Sequence, residues 1–159
     1  MLTPYHETIG LIERLHRQFL EVLKVELERG GILDINNVQA LILHNIGEDE
    51  MTVGELTARG YYLGSNVSYN VKKMVENDYL VQERSIHDKR SIRVRASKKG
   101  RVLNKSVSEL YEKHIENLKN TELTEDKLKE MNKALQDLER FWERHMGVGN
   151  LTIDQAANG

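Results

Sequence analysis

The chain has 159 residues, a formal net charge of −2, 30% charged and 39% hydrophobic residues, and no cysteine. That is enough chain for one compact domain, or for a small core with helical arms, and it excludes disulfides and thiolate metal sites. No apolar run approaches the roughly 18 residues of a membrane span, and the N-terminus lacks the basic-then-apolar order of a secretory signal, so the cytoplasm is the simplest location.

The single proline is Pro4, so long helices are permitted nearly everywhere and the expected class is mainly α. Residues 5–29 carry Ile9, Ile12, Leu15, Phe19, Val22, Leu23 and Leu27 at helical steps, and Gly30-Gly31 ends the pattern. Asp34 or Asn36 can cap a second helix through Val38, Leu41, Ile42 and Ile46. Thr52-Val53-Gly54-Glu55 forms a capping box that opens a short helix ending near Gly60. After Tyr61-Tyr62-Leu63-Gly64, a further helix starts at Ser65 and fades at Asn77-Asp78. Two short helices across a tight glycine-containing turn have the sequence form of a helix-turn-helix.

The period then changes. Leu80 to Ile86, the polar tip His87-Asp88-Lys89-Arg90 and the alternating Ser91-Ile92-Arg93-Val94-Arg95-Ala96 predict a β-hairpin, taken as the only sheet component. Ile92, Val94 and Ala96 should pack inward, with Arg93 and Arg95 facing solvent or a polyanion. Ser97 caps a helix through Leu103, Val107, Leu110, His114 and Leu118, and Thr124 caps the last one. There Leu128, Met131, Leu135, Leu138, Trp142 and His145 make a coiled-coil-like seam. The segment from Gly147 lacks periodicity and is expected to be disordered.

The near-neutral charge hides a partition. Residues 52–101 hold eleven Lys and Arg against five Asp and Glu, a net of +6, which leaves −8 for the remainder. A basic middle between acidic flanks suits a nucleic-acid module on a helical scaffold. At 100° per residue, Val67, Val71, Met74 and Val75 share one arc of the helix from Ser65. The opposite side carries Ser65, Tyr69, Lys72 and Lys73, with Asn66 and Ser68 at its edges. Asn can pair with adenine in a major groove, Ser and Tyr can bond base edges or phosphates, and Lys neutralises phosphates. On the hairpin tip, Arg90 could enter a narrow minor groove, with Asp88 orienting it through a charge-assisted bond.

The run Leu80-Val81-Gln82-Glu83-Arg84, Asp88-Lys89-Arg90-Ser91 and Ala96-Ser97-Lys98-Lys99-Gly100 resembles the wing of the multiple antibiotic resistance regulator (MarR) family. Ser97 stands where the family usually has threonine, and Ala96 where it usually has leucine. Thr52-Val53-Gly54-Glu55-Leu56 is similar to the family's entry to the helix-turn-helix. The resemblance spans about residues 5–146. It implies a winged helix-turn-helix lobe over 34–96, with residues 65–73 opening the recognition helix, Arg90 as the wing arginine and Asp88 as its partner. Arg84 and Lys89 join the expected DNA contacts. It further implies dimerisation helices over 5–30 and 97–146, and a small aromatic or anionic effector held between the dimer helices and the lobe. Arg14, His16, His44, Tyr61 and Tyr62 are the candidates for that pocket.

Other chemistry finds little support. The six histidines show no metal-binding spacing and no cysteine can assist them, no phosphate-binding glycine loop occurs, and no nucleophilic triad has context. Neither a metal nor a cofactor is expected, and the chain does not read as an enzyme. The expectation is a homodimeric transcription regulator that binds double-stranded DNA at a pseudo-palindrome, a repressor modulated by a small molecule. The alternative is a winged-helix protein-interaction module that does not bind DNA.

Overall fold

The computed structural model describes residues 3–60, 64–84 and 91–158, with side chains over 3–59, 66–84 and 91–146. The element order is α1 (Pro4–Arg29), α2 (Asn37–Ile46), β1 (Met51–Thr52), α3 (Val53–Gly60), α4 (Gly64–Glu76), β2 (Leu80–Arg84), β3 (Ile92–Ala96), α5 (Lys98–Leu118) and α6 (Glu125–Asn158). The chain divides into two compact units, Met1–Leu110 and Tyr111–Gly159.

Local chemistry explains most helix boundaries. Thr3 caps α1 reciprocally with His6, and Pro4 sits in the first turn, where its missing N–H costs nothing. At the other end Gly31, with φ of 68°, takes the left-handed position of a Schellman motif: Ile32 N bonds Leu27 O and Gly31 N bonds Glu28 O. Of the two candidate caps for α2 it is Asn36 that serves, in a box with Gln39. The Thr52–Glu55 box forms as expected, with both bonds at 3.1 Å.

Within Met1–Leu110 one core joins these elements. It runs from Leu27 and Ile35 through Ile42, Leu43 and Ile46 to Met51, Leu56, Val67, Val71, Met74, Tyr79, Leu80, Val94, Ala96 and Leu103. Each fully buried aliphatic side chain contributes about 1.5–3 kcal/mol of transfer free energy. Only the C-terminal part of the α1 stripe joins in: Leu23 and Leu27 are buried, while Leu11, Leu15, Val22 and Val25 are exposed.

The sheet differs from expectation. It has three antiparallel strands in the order β1-β3-β2, so the hairpin is not the only sheet component. Met51 pairs with Val94 and Thr52 with Arg93. A two-residue strand carries no readable alternation, which is why the sequence pattern missed it. Val94 and Ala96 are buried as expected. Arg95, however, does not simply project outward, because it bonds Glu83 at 3.1 Å.

In the unit Tyr111–Gly159, Thr124 caps α6 by accepting from Lys127 N at 3.2 Å. The seam side chains Met131 and Leu135 are exposed, as is Phe141, whose ring centroid lies 4.4 Å from that of His145. The backbone of α6 continues to Asn158. No proline interrupts that stretch, and extending an existing helix avoids the cost of a new nucleus.

Candidate nucleic-acid interface

Helix α4 is partitioned as its sequence predicts. Val67 and Met74 are fully buried and Val71 nearly so, fixing one face in the core. Asn66, Ser68, Tyr69 and Lys72 are exposed on the other side, while Lys73 is half-buried. Ser65 lies in the helix, with its side chain outside the described set. Lys73 is less available to an anion than its sequence position suggests. Its ammonium lies 3.4 Å from Glu76 and 5.9 Å from the centre of the Tyr69 ring. Lys72 is therefore the better phosphate contact of the two, since no carboxylate lies within ion-pair distance of it among the described residues.

At the base of the wing, Arg84 and Arg93 are exposed on β2 and β3. The tip residues Asp88, Lys89 and Arg90 lie outside the described residues, as do Tyr61 and Tyr62 of the candidate effector pocket. The remaining pocket candidates occupy unlike surroundings. Arg14 and His16 are exposed on α1, whereas His44 is half-buried on α2, where burial pushes its imidazole toward the neutral form.

A polar assembly missed by the sequence pattern holds the end of α4. The helix closes with a second Schellman motif, Tyr79 N to Met74 O at 2.8 Å and Asp78 N to Val75 O at 3.1 Å. Asp78 takes the left-handed position with φ of 65°, a conformation that Asp tolerates better than most residues. The Asp34 carboxylate then accepts from the Tyr79 hydroxyl at 2.5 Å and from Lys99 at 2.6 Å. Lys99 also donates to Asn77 O at 3.0 Å and stands 4.3 Å from the Tyr79 ring centre. The bonds from Lys99 and Tyr79 hold the Asp34 carboxyl below the usual carboxylate range. Burial, and then the Asp34 bond and charge, push the Tyr79 hydroxyl up.

The start of α5 closes on this assembly. Ser97 donates to Asp78 O and accepts from Gly100 N, capping the helix as expected. Gly100 permits the approach, because a Cβ there would overlap the Tyr79 carbonyl oxygen. The foot of the wing, the end of α4 and the start of α5 are thereby tied to the α1–α2 connection.

Two short helices packed on each other, α3 and α4, with a small three-stranded antiparallel sheet, define a winged helix. Residues 35–100 match the family model described as a winged helix DNA-binding domain. That stretch is similar to winged helix DNA-binding domains, and the fold resembles that of solved MarR structures. An exopolysaccharide II synthesis transcriptional activator, ExpG, of Rhizobium meliloti (strain 1021) is 46% identical over 102 residues, covering 64% of this chain. This chain spans 53% of that relative's length. Streptococcus pneumoniae FabT, solved in complex with DNA, superposes with a TM-score of 0.72 at 19% identity, over 88% of this chain and 98% of that one. Staphylococcus aureus MarR, solved with salicylate and kanamycin, gives 0.70 at 21% identity, over 88% and 93%. No group of three His, Cys, Asp or Glu among the described residues could hold a metal ion, and no helix there is long and apolar enough to cross a membrane.

Proposed function

We propose that this protein is a homodimeric, sequence-specific transcription regulator of the cytoplasm that binds double-stranded DNA. In this reading α4 enters a major groove and the wing tip, Asp88 to Arg90, reaches the adjacent minor groove. The observation that carries it is the division of α4. Val67, Val71 and Met74 hold one face in the core, and a face of Asn66, Ser68, Tyr69 and Lys72 is left exposed. The match to a winged helix DNA-binding domain and the DNA complex of FabT support the same reading.

The lobe over 34–96 would work with arms over 5–30 and 97–146. Exposed apolar side chains on both arms, Leu11, Leu15 and Val22 on α1 and Met131, Leu135 and Phe141 on α6, support a dimer. Two-fold symmetry then calls for a pseudo-palindromic site with half-sites about one helical turn apart. A small aromatic or anionic effector near Arg14, His16, His44, Tyr61 and Tyr62 is the proposed input, supported by the salicylate complex of S. aureus MarR. Repression is the sequence expectation for the output. The ExpG relative, named as an activator, favours activation as the second reading.

The test is to recover bound duplexes from a random pool with the wild-type chain and measure affinity for the winner at fixed salt. Arg90→Ala should weaken that affinity by about 1–3 kcal/mol, the scale of one good groove contact. Unchanged affinity would remove the wing from the reading, and failure to recover any preferred duplex would favour a protein-interaction module.

A further inference from the structure

The buried face of α4 is made of Val67, Val71 and Met74, apolar groups whose packing has no directional preference, one of them a flexible thioether. Such a face holds a helix in place but specifies its rotation loosely. A helix that reads base edges cannot tolerate that looseness. With a radius of roughly 5–6 Å including side chains, a rotation of about 20° displaces a side-chain tip by about 2 Å. That exceeds the distance range over which a hydrogen bond to a base survives.

A polar seam runs along the border of the buried face. Gln39 is 7% exposed, the sole buried polar side chain among the described residues, and its Nε2 donates to Asn70 Oδ1 at 3.1 Å. Its other amide atom, Oε1, accepts from Asn36 N at 3.1 Å in the α2 capping box. The Gln39 side chain is thus held at both ends of its amide. Seven residues beyond Asn70, in line with it on the helical wheel and just past the last residue of α4, Asn77 Nδ2 donates to Asp34 O at 3.0 Å. Both bonds land on one stretch of chain, residues 34–39. That stretch is fixed in turn to α1 by Asn37 Nδ2 donating to Leu20 O at 3.0 Å. On a helical wheel Asn70 stands about 40° from Asn66 and about 60° from Lys73.

We propose that Gln39 is a positioning residue for DNA reading, its clamped amide setting the rotation of α4 through Asn70 while Asn77 holds the end of that helix at Asp34. The proposal rests on α4 being the reading helix. It assigns to a buried α2 side chain control over how well the exposed face of α4 matches its site.

The experiment uses the full chain, a duplex selected by wild type from a random pool, and a scrambled duplex of equal length and composition. Gln39→Leu and Asn70→Ala should each cut the preference for selected over scrambled duplex by about tenfold, the scale of one mismatched base pair. The double variant should lose no more than either single one, because both remove the same bond. Gln39→Glu should stay within about threefold of wild-type preference, since its carboxylate can accept from Asn36 N and from the Asn70 amide once that group turns over. A merely structural role would lower the active fraction and reduce both affinities together, leaving their ratio fixed. Asn70 is only half-buried, so Asn70→Ala decides the matter even where Gln39→Leu fails to fold. An unchanged ratio in folded Asn70→Ala overturns the proposal while leaving the DNA-reading function intact. A wild-type chain with no preferred duplex overturns that function itself.

Discussion

The winged-helix lobe and the last helix treat their apolar residues in opposite ways. In the lobe, Leu56, Val67, Met74 and Val94 are fully enclosed by their own chain. On α6, Met131, Leu135 and Phe141 remain between 41% and 45% exposed, far more than a finished core leaves. The contrast teaches that the lobe is a complete packing unit, whereas the unit that holds α6 does not enclose these side chains by itself. A second copy of the chain supplies that cover under the proposed function.

The largest effect should come from breaking the seam. Met131→Glu with Leu135→Glu places two charges where two α6 helices would meet. Sedimentation equilibrium should then report a monomer, with affinity for the selected duplex lower by about a hundredfold or more, as one half-site contact is lost. A doubly substituted chain that still sediments as a dimer would move the interface away from α6.

Comparable in size is the effect on the lobe core. Leu56→Ala should cost about 2–5 kcal/mol in urea unfolding, because the enclosed site cannot collapse around the missing atoms. The comparison would fail if Leu56→Ala cost no more than truncation of an exposed α6 residue.

The smallest effect concerns the Asp34 clasp. The folded-state pKa of Asp34 is depressed by Lys99 and Tyr79, so its contribution is present above the unfolded carboxylate value and fades as pH falls through the folded one. Both ends of the Asp34–Lys99 pair are nearly half exposed, at 45% and 46%, so the contribution is below about 1 kcal/mol. Asp34→Asn should therefore be slightly less stable than wild type at pH 7, and the difference should shrink only below about pH 4. A difference that grew on acidification would contradict the depressed pKa.

What was legible in the sequence was local. The Thr52–Glu55 box, the Gly30-Gly31 stop and the Ser97 cap each depend on residues within a few positions, and each forms where expected. The exposure of Asn66, Ser68, Tyr69 and Lys72 followed from helical period alone, whereas Lys73 is half-buried. Long-range polar pairing was not legible. Gln39 and Asn70 lie 31 positions apart, and either looks like an ordinary surface residue until folding brings them together. By residue type Asp34 is as good a cap as Asn36, yet its carboxylate is taken by Tyr79 and Lys99, 45 and 65 positions on. Strand β1 escaped for a different reason: its two residues pair with β3, and no local signal marks so short an element.

The central claim, that the exposed face of α4 is a DNA-reading surface, is tested most directly by one salt titration. Affinity of the wild-type chain for the selected and the scrambled duplex is measured by fluorescence anisotropy across a range of potassium chloride concentrations. The account predicts steep linear falls in log affinity with log salt for both duplexes, from counterion release, with the selected duplex bound more tightly throughout. Binding that is negligible even at low salt, or equal for the two duplexes at every concentration, would contradict it.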